Sequence, residues 1–234
     1  MGSCLVKKVD GKKIYDSLNV CLLNFIRVDI RRWITFKQQQ SKVFKLTFGA
    51  MFVALAAIGA NLTSVAPFLV VGGVPITLQT FFAVLAGLVL GSRMGAFSMF
   101  VYMMAGLAGA PVFAQFKGGA GAALSPTFGF ILSFILVAYV AGKIREMNSS
   151  FVSYIVAALT AMSVNYIFGT NWMYAAYKLW FGAPAQFSYK IAWLWMMAPL
   201  PKDIILSIMA GSFAYRLEKY GISIRDTVRE QKSV

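Results

Sequence analysis

The chain has 234 residues, of which 59% are hydrophobic and 13% charged, with a mean hydropathy of +0.70. Water-soluble domains carry about 25% charged and 45–50% apolar residues, so this balance excludes an ordinary soluble core and points to an integral membrane protein. Lys and Arg outnumber Asp and Glu 22 to 8, a formal charge of +14; the long uncharged runs beside that excess exclude a nucleic-acid-binding domain, and the lack of histidine excludes His-based catalysis or a His metal site.

Residues 1–46 form a compositional block with ten Lys/Arg and three Asp. Lys7, Lys8, Lys12 and Lys13 precede a broken, charged segment rather than an apolar run with a small-residue cleavage site, so the start does not read as a secretory signal. Cys4 and Cys21 have neither the number nor the spacing of a zinc site or a disulfide framework. Over 14–37, Leu18, Leu22, Phe25 and Trp33 share part of a helical stripe beside Arg27, Arg31, Arg32 and Lys37. A basic amphipathic helix on anionic lipid and a flexible extension fit this block equally.

From Thr47 to Gly142 there is no acid and only two bases, Arg93 and Lys117. A membrane helix needs about 20 mostly apolar residues. Breaks at Pro, Gly and charge predict spans near 47–66, 76–91, 94–111, 127–144, 151–177 and 191–213. The second is short and implies tilt or a thinned bilayer; the end of the fifth, near Ala175–Trp180, is soft, so five or seven spans also fit. The fold class is therefore all-α with six transmembrane helices: an extension over 1–46, a membrane domain over 47–215 and a tail over 216–234. With both termini cytoplasmic, 18 basic residues face the cytoplasm and only Lys117, Lys178, Lys190 and Lys202 lie outside, as the bias of inner loops toward Lys and Arg requires.

All seven prolines (Pro67, Pro75, Pro111, Pro126, Pro184, Pro199 and Pro201) then fall on the outer side. Irregular backbone at membrane depth persists only where protein or a water-filled cavity satisfies it, which suggests a pocket open to the outside; plain helix termination is the alternative. In span one, Ala50 and Ala54, with Ala56 and Ala60, allow close helix approach, either within the bundle or against another subunit. Before span two, Thr77 and Gln79 sit at a helix entry, where Gln offers donor and acceptor to an amide-like ligand or serves as a cap. The loop Pro111–Pro126 holds Lys117, Gly118 and Gly119, an anion-directed charge in a stretch that lets backbone approach a ligand. Phe113 and Trp172 offer apolar surface. Asn165 and Asn171 in span five are ligand contacts or interhelical glue, and Trp172, Tyr174, Tyr177 and Trp180 suit an interfacial belt. In the last span Lys202 and Asp203 are ionisable at a costly depth, by default a functional site; mutual neutralisation near the headgroups is the other reading.

There is no G-x-x-x-x-G-K-[ST] loop, no His to activate a serine, and no second carboxylate beside Asp203. A transporter driven by another chain or a gradient fits better than an enzyme; a scaffold that only recruits partners is the remaining class.

Gly73–Thr80 (GVPITLQT), Ala86–Gly95 (AGLVLGSRMG), Gly109–Phe130 (GAPVFAQFKGGAGAALSPTFGF), and Pro201 with Asp203, in this order and spacing, resemble the BioY family, the biotin-specific substrate-binding (S) component of energy-coupling factor (ECF) transporters. The resemblance covers about Lys45 to Ala214. It implies six helices, no ATPase of its own and no cofactor. It also implies capture of biotin in a pocket of outer loops, then delivery by toppling on a membrane coupling (T) subunit driven by two cytosolic ATPases, in a bacterial-type cell membrane. It assigns docking to Ala50 and Ala54, and pocket roles to Gln79 and to Lys117–Gly119. In the last helix the family pattern resembles P-G-D-x-x-K, whereas this chain has Lys202 at the Gly position and Leu206 at the Lys position. The expectation is that Lys117, or a rerouted Lys202, faces the ligand's anionic end. Another small carboxylated vitamin, or a precursor such as dethiobiotin, is the alternative ligand.

Overall fold

Helices make up most of the computed structural model, which describes residues 43, 45–62, 70–71, 74–75, 77–184 and 186–220. All of these except residue 43 belong to a unit beginning at Lys45. The expectations for Cys4, Cys21, the 14–37 stripe, Pro67 and the bases after residue 220 lie outside the described residues.

The first helix, α1, runs over Lys45–Asn61. A two-residue antiparallel ladder follows, β1 (Val70–Val71) against β2 (Val74–Pro75), with Val71 opposite Val74. Then come α2 (Gln79–Leu90), α3 (Ser92–Leu107), short 3₁₀ turns at Ala114–Phe116 and Ala120–Leu124, α4 (Phe128–Met147), α5 (Phe151–Leu179), α6 (Tyr189–Met197) and α7 (Leu200–Lys219).

The sequence of α2, QTFFAVLAGLVL, has no polar face after its first turn, and ten of its twelve residues are buried. A helix apolar on all sides belongs in the middle of a bundle, and α2 packs against α3, α4, α5 and α7. It joins α3 through Gly91 alone, whose φ of +85° is the left-handed conformation that a side chain resists. Beside that turn α4 comes into backbone contact. A Cβ on Gly87 would lie 2.2 Å from the Ala138 carbonyl oxygen, and one on Gly142 would lie 2.3 Å from the Ser92 nitrogen. These glycines set the spacing of three helices, as small residues do in membrane bundles.

The outward faces of the helices are apolar too. Leu46 and Ile58 on α1, Phe97 and Phe100 on α3, Val156 and Ile167 on α5, and Ile205, Met209 and Phe213 on α7 are all exposed. Large apolar side chains exposed around a whole bundle require a lipid rather than an aqueous surround. The protein is an all-α membrane protein.

The expected set of six full-length spans needs correction. Among the described residues, α4 and α5 are long and apolar enough to cross a bilayer, and α6 with α7 make a third candidate only as a broken pair bent by 55°. The last expected span is interrupted at Ala198–Pro199, between α6 and α7. Helices α1 and α2, of 17 and 12 residues, are short; the second reaches only about 18 Å at 1.5 Å per residue. The expected sixth span is divided between α6 and α7 by the bend, and the third ends at Leu107, four residues short of its expected end, before the loop that carries the candidate site.

At the opposite end, Arg145 of α4 is 3% exposed and pairs with Glu218 of α7 at 3.0 Å. Its Nε donates to the hydroxyl of Tyr154 on α5 (2.8 Å), which bonds Glu218 in turn. Glu146 accepts from both the backbone nitrogen and the hydroxyl of Ser92, each at 2.8 Å, satisfying the first turn of α3. Arg145 is one of the 18 basic residues counted toward the cytoplasmic side, and the fold buries it as a clasp between three helices.

Candidate functional site

A cavity of about 560 Å³ lies at the loop end of the bundle, within the range of small-ligand pockets. Its walls come from the entry of α2, the loop between α3 and α4, the first turns of α4, the middle and end of α5, and the α6–α7 bend. No residue of α1 lines it.

The polar floor is made by two amides. Gln79 is 6% exposed; its Nε2 donates to the Tyr102 hydroxyl (2.6 Å), and its Oε1 accepts from Thr77 Oγ1 (3.0 Å). Tyr102 passes the chain on to the carbonyl of Val112 (2.8 Å). The second amide, Asn165, is 3% exposed. Its Nδ2 donates to Thr80 Oγ1 (3.3 Å), and its Oδ1 accepts from Ser133 Oγ (2.5 Å). An amide has two N–H groups and two acceptor positions on its oxygen. Each of these side chains therefore has one donor and one acceptor left for a ligand.

The charges sit on two sides. Asp203 is 7% exposed, with Oδ2 accepting from the Tyr166 hydroxyl (2.7 Å) and Oδ1 lying 2.9 Å from Lys202 Nζ. That second contact is an ion pair without hydrogen-bond alignment, since Oδ1 has no bonded donor. Lys202 also donates to the Thr77 carbonyl. Neighbours on a helix point about 100° apart, yet the bend before Leu200 and the length of the lysine stem bring this pair together. Lys202 is thus committed to two partners, one of them anionic. Lys117 also lines the cavity and has no ion pair among the described residues, so the cavity carries one uncompensated positive charge.

The loop that carries Lys117 is tightly formed. Phe113 N–H donates to the Lys117 carbonyl (3.0 Å), and the Phe113 ring is buried in a notch above Gly106, where a Cβ would lie 2.1 Å from it. Phe130, Ile131 and Phe134 of α4 with Tyr177 and Phe181 at the end of α5 supply the apolar wall.

Of the ten candidate ligand-site residues, Thr77, Gln79, Phe113, Lys117, Gly118, Asn165, Lys202 and Asp203 line this one cavity. Gly119 and Trp172 do not. Gly119 has a φ of +93° and donates its N–H to the Gly106 carbonyl (2.7 Å), which fastens the loop to the end of α3. Trp172 is turned toward α4, over Gly129 and against Phe128 and Trp180, and borders a shallow groove on the flank of α5. Seven residues bring a helix almost back to the same face, but at Trp172 that face meets α4, and the cavity is lined farther along by Tyr177 and Phe181 instead. Asn171 points outward, bonding the Ile167 carbonyl (2.7 Å) and the Tyr189 hydroxyl (3.3 Å). Ala50 and Ala54 are exposed on α1 among Leu46, Met51 and Ile58. Thr80, Tyr102, Tyr166 and Ser133 were missed. Thr80 and Tyr166 adjoin residues that were singled out, whereas Tyr102 and Ser133 had no sequence signal.

A family model described as the BioY family matches residues 35–222. A putative biotin transporter, BioYB, of Bacillus subtilis (strain 168) is 43% identical over 180 residues, covering 76% of this chain and 89% of that protein. A probable biotin transporter BioY of Lysinibacillus sphaericus is 34% identical over 189 residues, covering 80% and 93%. The biotin transporter BioY of Thermotoga maritima is 37% identical over 125 residues, covering 53% and 71%. Among solved structures, the S-component for biotin from an ECF-type ABC transporter superposes with a TM-score of 0.65 at 23% identity, covering 77% of this chain and 93% of that one. At that identity the likeness speaks for the fold.

Proposed function

The chain belongs to the BioY family, and from that premise we propose that it takes up biotin as the membrane-embedded substrate-binding component of an ECF transporter, capturing the vitamin in the cavity described above. It is a transport protein rather than an enzyme. The observation that carries the biotin reading is the pairing of two half-used buried amides with one uncompensated cation across an apolar cavity. A cyclic urea needs matched donors and acceptors, which Gln79 and Asn165 supply. The bicyclic and valerate carbons need an apolar wall, and a carboxylate needs Lys117.

In this reading the loop end faces the outside and both termini the cytoplasm, of a bacterial inner membrane. The short helices count as spans, six in all, because loops packed in protein complete their passage and the basic residues favour that orientation. Residues 1–46 are a basic cytoplasmic extension, 47–215 the membrane domain and 216–234 a tail. Docking of a T subunit, powered by two ATPases, uses the exposed face of α1 around Ala50 and Ala54, where small side chains leave room for another helix.

Purified full-length protein in lipid nanodiscs, titrated with radiolabelled biotin and competed with dethiobiotin and pantothenate, tests the assignment. Saturable binding with biotin the strongest competitor is expected. Stronger displacement by another carboxylate transfers the site to that ligand, and no saturable binding leaves a scaffold.

A further inference from the structure

Although α1 contributes nothing to the cavity lining, its last turn holds two of the cavity's walls. The Gly59 carbonyl accepts from Leu78 N–H (3.1 Å), fixing the backbone between Thr77 and Gln79. Two residues on, Asn61 Oδ1 accepts from Phe116 N–H (2.6 Å), while its Nδ2 donates to the Ala57 carbonyl (3.0 Å) and reaches the Pro111 carbonyl (3.4 Å). The loop so held is strained. Gln115 and Phe116 are consecutive non-glycine residues in the left-handed region, at φ +63° and +55°, a conformation that L side chains adopt only when the surroundings impose it. Phe113 and Lys117 flank that pair, and both line the cavity.

We propose that Asn61 is a positioning residue that locks the Pro111–Gly118 loop against the cavity and thereby sets how long ligand is retained. It supplies the acceptor for the amide that the left-handed turn directs toward α1. Without it Phe116 N–H loses its partner, Gln115 and Phe116 relax out of the strained region, and Phe113 and Lys117 withdraw from the ligand together. The inference rests on the cavity being the ligand site.

Hydrogen exchange of the full-length protein in nanodiscs, without ligand, tests the lock by itself. In Asn61→Ala the amides of 112–118 are expected to exchange up to about tenfold faster, the loss of one hydrogen bond whose donor water can take over, while those of α4 keep their rate. Asn61→Asp, which retains the acceptor, is expected to restore protection. With radiolabelled biotin, Asn61→Ala is expected to speed dissociation by about tenfold with little change in association. Unchanged exchange over 112–118 in Asn61→Ala overturns the proposal, as does equal acceleration throughout the protein. If biotin does not bind the wild type but the loop responds, the cavity assignment fails and the lock stands.

Discussion

Lys117 and Lys202 both reach the cavity, and substitution of each separates their roles. Lys202 is already held by Asp203 and the Thr77 carbonyl, whereas Lys117 has no ion pair among the described residues. A hydrogen bond to a charged group contributes about 1.5–3 kcal/mol net. At about 1.4 kcal/mol per tenfold, Lys117→Met should weaken biotin binding by about 10- to 150-fold. Because Lys117 is solvent-exposed, screening cuts that figure toward the roughly 0.2–1 kcal/mol of an exposed ion pair, about 1.5- to 5-fold. The assay is a four-way comparison by isothermal titration in nanodiscs: wild type and Lys117→Met, each with biotin and with its neutral amide. Wild type should prefer biotin, and Lys117→Met should bind the two ligands alike. Raising salt should weaken biotin binding to the wild type only. Lys202→Met strands Asp203, so it should lower thermal stability and weaken both ligands in parallel. The reasoning is refuted if Lys117→Met keeps wild-type affinity for biotin, or if Lys202→Met abolishes the preference for the carboxylate.

Trp172→Phe should leave biotin affinity unchanged, because the indole borders the flank of α5 rather than the cavity; a tenfold loss by titration would return it to the site. Glu218→Leu leaves Arg145 buried with only part of its network and should cost about 3–5 kcal/mol, seen as a lowered melting temperature. Adding Arg145→Leu to that variant should recover part of the loss. Gly142→Ala drives a methyl to 2.3 Å from the Ser92 nitrogen, and should destabilise by about 1–3 kcal/mol or more without changing ligand preference in whatever protein folds. Asn165→Leu takes away the partner of the Thr80 hydroxyl, leaves Ser133 its bond to the Phe130 carbonyl and removes a urea partner, so biotin affinity should fall by about tenfold in the same titration.

The helices were legible because their apolar runs end at Pro, Gly or charge. The boundaries expected at 127–144 and 151–177 fall close to α4 and α5. The last span misled because its break is marked only by Pro199 and Pro201 beside Lys202 and Asp203, with apolar chain on both sides that reads as one stretch. Lys117, Gln79 and Asp203 stood out as polar groups in apolar surroundings, and they share one cavity. Trp172 failed because the stripe it shares with Asn165 turns onto Gly129, while Tyr166, Tyr177 and Phe181 beside that stripe stay on the cavity. Tyr102 and Ser133 were invisible because their roles depend on which helix lies opposite. Arg145 looked like a topology marker, and its partner Glu218 lies 73 positions away.

The bonds that Gln79 and Asn165 make within the protein bear on the life of a carrier between meals. A scavenger of a scarce nutrient spends most of its time unloaded. A pocket whose buried amides relied on cargo for partners would be driven to collapse, flood or seek company whenever the cargo was missing. Here Tyr102, Thr77, Thr80 and Ser133 keep both amides occupied and correctly aimed. Arrival of cargo then adds contacts to a waiting frame, and departure returns that frame to bonds it already has.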